Sequence, residues 1–342
     1  MGIASNSSTR NGSTSNEYAT DLLIYGATGY TGRMAAERAK ALALNFEIAG
    51  RNAKRLETLA AQLDVPYRVF DTREAESSLS GISVLLNFAG PFAQTAEPLM
   101  HACIKAGVHY LDITAEINTY RVAEGLGAEA AANHVMLLPG VGWDVVPTDS
   151  LAVHVAKRAV KPVALSIALQ VPGSMSRGSA MSVSEIIGAG VLARVDGELV
   201  ATPDAAPRLF DFGEGPVLCA PLSFGDLVTG WHSTGIRNIA MFVHITGDGF
   251  PEGDLSQLPD GPTPQQRAAH RARAVVEVTG ADGATVRSVI ETVNGYSYTP
   301  LAAVEAARRV INGERQPGFA TPANMFGGGF AESIDGTVIT DF

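Results

Sequence analysis

The stretch Leu22-Leu23-Ile24-Tyr25-Gly26-Ala27-Thr28-Gly29-Tyr30-Thr31-Gly32 decides the fold. A short apolar run reads as a strand with both faces covered, and three glycines then break it before a helical pattern starts. Gly26 suits a tight turn, Gly29 lets backbone approach a pyrophosphate, and Gly32 allows close helix–sheet packing. The helix start that follows offers unpaired N–H groups to phosphate. Its spacing is G-x-x-G-x-x-G rather than G-x-G-x-x-G. Its place between a strand and a helix is nevertheless the one a dinucleotide site requires. Gly26, Ala27, Thr28, Gly29, Tyr30, Thr31 and Gly32 are therefore cofactor-binding candidates.

Outward from this turn, the first half alternates strands and helices. Strands are expected at 22–25, 46–49, 67–70, 84–88, 109–113 and 135–138. Helices are expected at 31–44, 54–63, 96–106 and 119–132. Such alternation predicts a Rossmann-type, doubly wound parallel sheet in an α/β protein. After about Thr148 the rhythm changes, with helices at 149–159, 181–194 and 300–311. Strands follow at 164–171, 237–246, 274–279 and 285–293, which suits a second α/β domain with a mixed sheet. The expected organisation is a disordered tail over 1–20, a dinucleotide-binding domain over 21–148 and a substrate domain over 149–316. Residues 317–342 are expected to return to the first domain.

Composition bounds the function. A length of 342 residues, at roughly 150 per domain, suits two domains. The formal charge of −10 argues against nucleic acid or an anionic membrane as the main partner. Two cysteines exclude a disulfide scaffold, and a cytoplasmic setting is the simpler expectation. No apolar run is long enough for a membrane span, and the tail lacks the apolar core of a secretory signal. The loop over 247–266 is expected to be mobile surface. Its Asp248, Glu252, Asp254 and Asp260 lack the spacing of a calcium loop, and no metal is expected.

The dinucleotide can be chosen from the end of the second strand, Ala49-Gly50-Arg51-Asn52-Ala53-Lys54. An NAD site usually places a carboxylate there for the ribose 2′-hydroxyl. Here Arg51 stands instead, with Asn52 and Lys54 or Arg55 in support, which favours the 2′-phosphate of NADP(H). Asp71, after the third strand, is placed to approach the adenine.

Three further segments carry a family resemblance. They are Asn87-Phe88-Ala89-Gly90-Pro91-Phe92, His109-Tyr110-Leu111-Asp112-Ile113-Thr114-Ala115-Glu116, and Pro139-Gly140-Val141-Gly142-Trp143-Asp144-Val145-Val146-Pro147-Thr148-Asp149. Together with the glycine turn they resemble the saccharopine dehydrogenase-like family, in particular its trans-acting enoyl reductases. The resemblance implies a second domain folded over the nicotinamide, with Asn87, Ala89, Gly90, Pro91 and Phe92 beside the cofactor. The glycine spacing departs from longer family members that make amino-acid adducts, which puts saccharopine itself in doubt as substrate.

Hydride transfer is the cofactor's chemistry, so the protein must orient substrate and handle a proton. None of the five lysines has a tyrosine four residues before it, which excludes the Tyr/Lys pair of short-chain dehydrogenases. Asp112, Tyr110 and Glu116 are the expected catalytic groups, with His109 beside them. Ser176, Arg177 and Ser179 at a helix start suit an anionic or thioester group. Trp143, Asp144 and Tyr296 are expected at the domain junction, near substrate. The expected activity is NADPH-dependent reduction of a polarised C=C bond in a small or acyl-thioester substrate. An imine or carbonyl reductase is the alternative. A non-catalytic NADP(H) sensor is the rival of another class, and a homodimer is an open option.

Overall fold

The computed structural model describes residues 20–172, 175–246 and 258–342. The expected tail up to residue 19, Gly173 and Ser174 before the predicted helix start, and 247–257 of the predicted loop lie outside the described residues. The first half runs β1 (Thr20–Tyr25), α1 (Tyr30–Ala41), β2 (Phe46–Gly50), α2 (Ala53–Leu63), β3 (Tyr67–Val69) and α3 (Ala75–Ser78). It continues through β4 (Ile82–Asn87), α4 (Phe92–Ala106), β5 (His109–Asp112), α5 (Ile117–Gly125), α6 (Gly127–Ala132) and β6 (Met136–Leu138).

These strands form a parallel sheet in the order β3-β2-β1-β4-β5-β6, the doubly wound arrangement expected from the alternation. Successive residues of β1 face opposite ways. Leu22 and Ile24 join a core with Ala35, Ala36 and Ala39 of α1, while Leu23 and Tyr25 join Leu99 and Met100 of α4. Burial on both faces explains why the strand reads as an unbroken apolar run. The strand order reverses between β1 and β4, so a crevice opens at their carboxyl ends.

The second half runs α7 (Val146–Ala156), β7 (Pro162–Pro172), α8 (Arg177–Gly188), β8 (Leu192–Val195), β9 (Glu198–Ala201), β10 (Arg208–Asp211) and β11 (Pro216–Pro221). Next come α9 (Asp226–Thr234), β12 (Asn238–Thr246), α10 (Pro264–Ala269), β13 (Ala272–Gly280), β14 (Thr285–Thr292) and α11 (Gly295–Ile311). The chain ends with β15 (Gly318–Phe319), α12 (Pro322–Phe326) and β16 (Val338–Asp341). The mixed sheet has the order β10-β11-β12-β7-β13-β14-β16, with β12 parallel to β7 and β8 pairing with β12 and β9. The last segment serves both sheets: β15 pairs with β6, and β16 with β14. Helix α11 contributes Ala302, Ala303, Ala306 and Ala307 to the same core as α1, which joins the two halves.

Strands β9 to β11, β15 and β16 and helices α9, α10 and α12 fall where the sequence reading expected no element, α10 starting within the expected loop, and three expected helices differ in extent or continuity. The helix expected over 119–132 is broken into α5 and α6, and Gly127 leaves room for Phe319: a Cβ there would lie 3.1 Å from the Phe319 Cβ. The helix expected over 181–194 ends at Gly188. Gly190 then reverses the chain at φ +72°, and β8 follows with the Arg194 guanidinium donating to the Leu227 carbonyl at 2.8 Å. Finally, α11 begins before Pro300, because the Asn294 side chain accepts the Tyr296 amide at 3.1 Å and caps it.

Candidate active site

A cleft of about 930 Å³ runs from the carboxyl ends of β1, β2 and β4 to the underside of the second sheet. Its volume is that of a large ligand site. The glycine turn forms part of its wall. Gly26 has φ +81°, and a Cβ there would meet the Ala89 amide nitrogen at 2.7 Å. A Cβ on Gly32 would lie 2.4 Å from the Gly26 carbonyl oxygen, so α1 approaches β1 too closely for any side chain. Gly29 precedes α1, whose N-terminus has no side-chain cap and no acid in its first turn. Thr28, Gly29, Tyr30 and Thr31 line the cleft, whereas Ala27 is buried and Gly32 faces β1. An uncapped helix start beside side-chain-free backbone fits a pyrophosphate.

Beyond β2 the wall is cationic. Arg51, Arg55 and Arg73 all line the cleft, and β2 ends without a carboxylate. Asn52 also lines it, but its side chain caps α2 by accepting the Arg55 amide at 3.0 Å. Lys54 is exposed and does not line the cleft. Asp71 accepts the Arg73 guanidinium at 2.9 Å, and this contact holds its carboxyl below the usual range. Tyr25 lies against this end, and burial pushes its phenol up to about 12. The sequence reading missed Arg73. Its signal was position, two residues beyond Asp71 at the end of the third strand. Three guanidiniums, with no carboxylate at the end of β2, fit a 2′-phosphate.

The next wall is the segment after β4, where Ala89, Gly90, Pro91 and Phe92 line the cleft. Asn87 lies beneath it. Its Oδ1 accepts the Ala89 amide at 2.8 Å and its Nδ2 donates to the Tyr110 hydroxyl at 3.1 Å. Asp112, Tyr110 and Glu116 sit behind this wall and do not line the cleft. Asp112 accepts the Thr114 and Gly140 amides at 3.0 and 2.9 Å and the Tyr110 hydroxyl at 2.9 Å. Burial pushes its carboxyl up to about 6 despite these donors. Burial also raises the Tyr110 phenol well above its ordinary value. Glu116 accepts the Phe92 and Ala93 amides at 2.9 and 2.7 Å and the Ser182 hydroxyl at 2.8 Å, pinning α4 to α8. His109 accepts the Met136 amide at 3.0 Å, and burial pushes its imidazole down to about 4. Asp112, Tyr110 and His109 hold the first sheet and its loops, and Glu116 ties those loops to α8.

The far chamber is assembled mainly from the second half. Trp143 donates its indole N–H to Thr292 Oγ1 at 2.9 Å. The Tyr296 hydroxyl accepts the Ser176 amide at 2.7 Å and donates to Ser179 Oγ at 2.9 Å. Ser176 caps α8 by accepting the Ser179 amide at 3.1 Å, so that amide is already used. Arg177 donates to the Leu258 carbonyl at 2.8 Å and pairs with Asp260 at 3.2 Å. Tyr30 reaches across: its hydroxyl bonds the Pro262 carbonyl and Arg267, and its ring meets Tyr296 edge-on at 5.6 Å. The remaining wall is apolar, with Val171, Ile186, Leu222, Phe224, Val243 and Ala272. No sequence signal marked these six, since each reads as ordinary core.

Asp144 also lines this chamber, beside Trp143. Burial pushes its carboxyl up to about 6, and only its own backbone amide offsets this. Among the described residues no three His, Cys, Asp or Glu side chains converge to hold a metal. Among them, too, no helix is long and apolar enough to cross a membrane.

The geometry defines a dinucleotide-binding domain with a second domain closing over its crevice. Residues 22–136 match the family model for the saccharopine dehydrogenase NADP binding domain. A trans-acting enoyl reductase of Mycobacterium leprae (strain TN) is 31% identical over 155 residues, covering 41% of this chain and 36% of the relative. One from Mycobacterium tuberculosis (strain ATCC 25618 / H37Rv) is 29% identical over 152 residues, with the same coverage of 41% and 36%. The chain thus matches only about a third of the length of these curated relatives. The fold as a whole is that of the apo saccharopine dehydrogenase (L-Glu forming) from Saccharomyces cerevisiae. The TM-score is 0.64 at 12% identity, over 95% of this chain and 99% of that one. The family match covers the first domain, which is similar to the NADP binding domain of saccharopine dehydrogenase.

Proposed function

We propose that this protein is an NADPH-dependent reductase of a polarised C=C bond in an uncharged enoyl or acyl-thioester substrate. The carrying observation is the contrast in charge along the cleft. Arg51, Arg55 and Arg73 line one end, while Arg177 is the one cation among the described residues lining the far chamber. It already has the Asp260 carboxylate and the Leu258 carbonyl. An amino-acid adduct of the saccharopine type carries several carboxylates, and burying them here without cations would be costly. An enoyl chain asks only for apolar wall, which Val171, Leu222, Phe224 and Val243 supply. The relatives named as trans-acting enoyl reductases support the same reading.

In this reading, the α1 N-terminus and the amides around Gly29 hold the pyrophosphate, and Arg51 with Arg73 holds the 2′-phosphate. NADPH, when bound, supplies the hydride that reduces the double bond. Residues 89–92 flank the nicotinamide and exclude water from its face. Asp112, Tyr110 and Glu116 act indirectly, by fixing the loops that form this wall. The test is NADPH oxidation against a panel of enoyl thioesters, cyclic imines and aldehydes. Turnover of enoyl thioesters is expected. Preference for a carboxylated imine would overturn the substrate class, and tight NADPH binding without any turnover would point to a sensor.

A further inference from the structure

We propose that Asp144 is the acid that delivers a proton to the substrate as it is reduced, an inference that rests on the reductase reading above. Three described carboxylates line the cleft: Asp71, Asp144 and Asp260. Asp71 is paired with Arg73, and Asp260 with Arg177. No side chain or neighbouring amide among the described residues holds the Asp144 carboxyl, and it stands in the far chamber beside Trp143 and Tyr296. Half-buried at the chamber wall and engaged by no other side chain among the described residues, the Asp144 carboxyl is left available to a bound substrate.

Its surroundings keep the acid protonated to a higher pH than usual. Burial raises it to about 6, close to where an acid catalyst works best near neutrality. The ionisable groups that face it add no positive charge. They are Tyr296 from α11, Asp226 from α9 and Tyr120 from α5, and all three are themselves raised by burial. Among the described residues lining the far chamber, Tyr296 is the only other acidic side chain without a charged partner, but its proton already goes to Ser179 Oγ at 2.9 Å. For an enoyl substrate the balance is simple. The hydride brings two electrons to the β carbon, the C=C π pair takes the Asp144 proton at the α carbon, and the carboxylate left behind is reprotonated by water.

The test compares Asp144→Asn, Asp144→Glu and Tyr296→Phe with the unmodified enzyme. With the best substrate of the panel, kcat/KM of the unmodified enzyme is expected to fall as pH rises above about 6. Asp144→Asn should lose that limb and about 100-fold in kcat, Asp144→Glu should recover part of it, and Tyr296→Phe should keep the limb. NADPH affinity, read by fluorescence, should stay within about threefold in every variant, which separates a proton role from a folding defect. A readout that needs no turnover is the carboxyl ¹³C resonance of Asp144 in the NADPH complex, expected to titrate near 6 and to vanish in Asp144→Asn. If Asp144→Asn keeps the limb and its rate, or the resonance titrates in the ordinary carboxylate range, the assignment falls. Turnover of imines or aldehydes instead of enoyl thioesters would overturn the substrate reading alone, and the same variants would then be compared on that substrate. Turnover of nothing would remove both.

Discussion

At one end of the cleft the walls are backbone and arginine; at the other they are aliphatic side chains around a single unheld carboxyl. The first end comes from one strand–turn–helix unit and the two strand ends beside it, so its chemistry lies within 22–73 and 89–92. The second is gathered from β7, α8, β12, β13 and the start of α11, which are far apart in sequence. Where recognition is made by backbone shape, few substitutions are tolerated. Where it is made by apolar area, many are.

The largest expected effect is therefore at the glycine turn. In Gly26→Ala the new methyl would sit 2.7 Å from the Ala89 amide nitrogen at φ +81°, and in Gly32→Ala 2.4 Å from a carbonyl oxygen. The neighbours are backbone and cannot move aside. Each variant should lose about 100-fold or more in NADPH affinity by titration, and in Gly26→Ala the φ strain alone should cost about 1–3 kcal/mol of stability. Unchanged affinity in either would show that the backbone wall is not the binding surface.

Next comes Asp112, behind the wall. Asp112→Ala orphans the Thr114 and Gly140 amides and the Tyr110 hydroxyl, which should cost about 3 kcal/mol in denaturant unfolding. In Asp112→Asn one oxygen can still accept both amides, and most of that loss should be recovered. A catalytic group would behave differently, losing rate in both variants while stability changed little in the Asn form.

Arg51→Ala should weaken NADPH by about 10- to 100-fold while leaving NADH nearly unchanged, because only the former carries the 2′-phosphate. Equal losses for both cofactors would move the 2′-phosphate away from Arg51. A smaller, parallel loss in Arg73→Ala would make the two guanidiniums a pair.

How much was readable follows the same divide. The turn, the doubly wound sheet and the missing strand-end acid depend on neighbours in sequence, and residues 22–51 display them directly. Asp112 reads as a candidate acid because it ends a strand of the nucleotide-binding sheet, a position that often faces the ligand. Which way its oxygens turn depends on Gly140 and Tyr110, and only the folded chain shows that. Asp144 looked like a junction residue for the same reason, since its want of partners is a property of α5, α9 and α11 packing around it. The helix expected through Arg194 failed for another cause. Its apolar spacing was compatible with a helix, but Gly190 and the pairing with β9 and β12 prevailed.

Asp144 also separates the two ends thermodynamically. Its folded value, about 6, lies above the 3.8 of an ordinary aspartate, so between these values the folded chain holds a proton the unfolded chain has released. Stability from this group is present below about 4 and lost as pH rises through 6. Asp144→Asn should thus raise Tm at pH 8 relative to the unmodified protein and change it little at pH 4. A Tm gain of the same size at both pH values would mean that the carboxyl is not held in its neutral form.

The smallest effect belongs to the ion pair at the rim of the far chamber. Arg177 and Asp260 are well exposed, with side-chain exposures of 41% and 73%, so the pair should contribute at most about 1 kcal/mol. Asp260→Asn should leave Tm within a degree or two, since Arg177 keeps the Leu258 carbonyl at 2.8 Å. Its consequence should appear in selectivity instead. Without Asp260 the guanidinium is no longer neutralised, and a dicarboxylate should inhibit more strongly, by about two- to fivefold at low salt, with the gain fading as salt rises. If dicarboxylates remain equally poor inhibitors, the apolar wall alone excludes them, and the charge contrast between the two ends owes nothing to this pair.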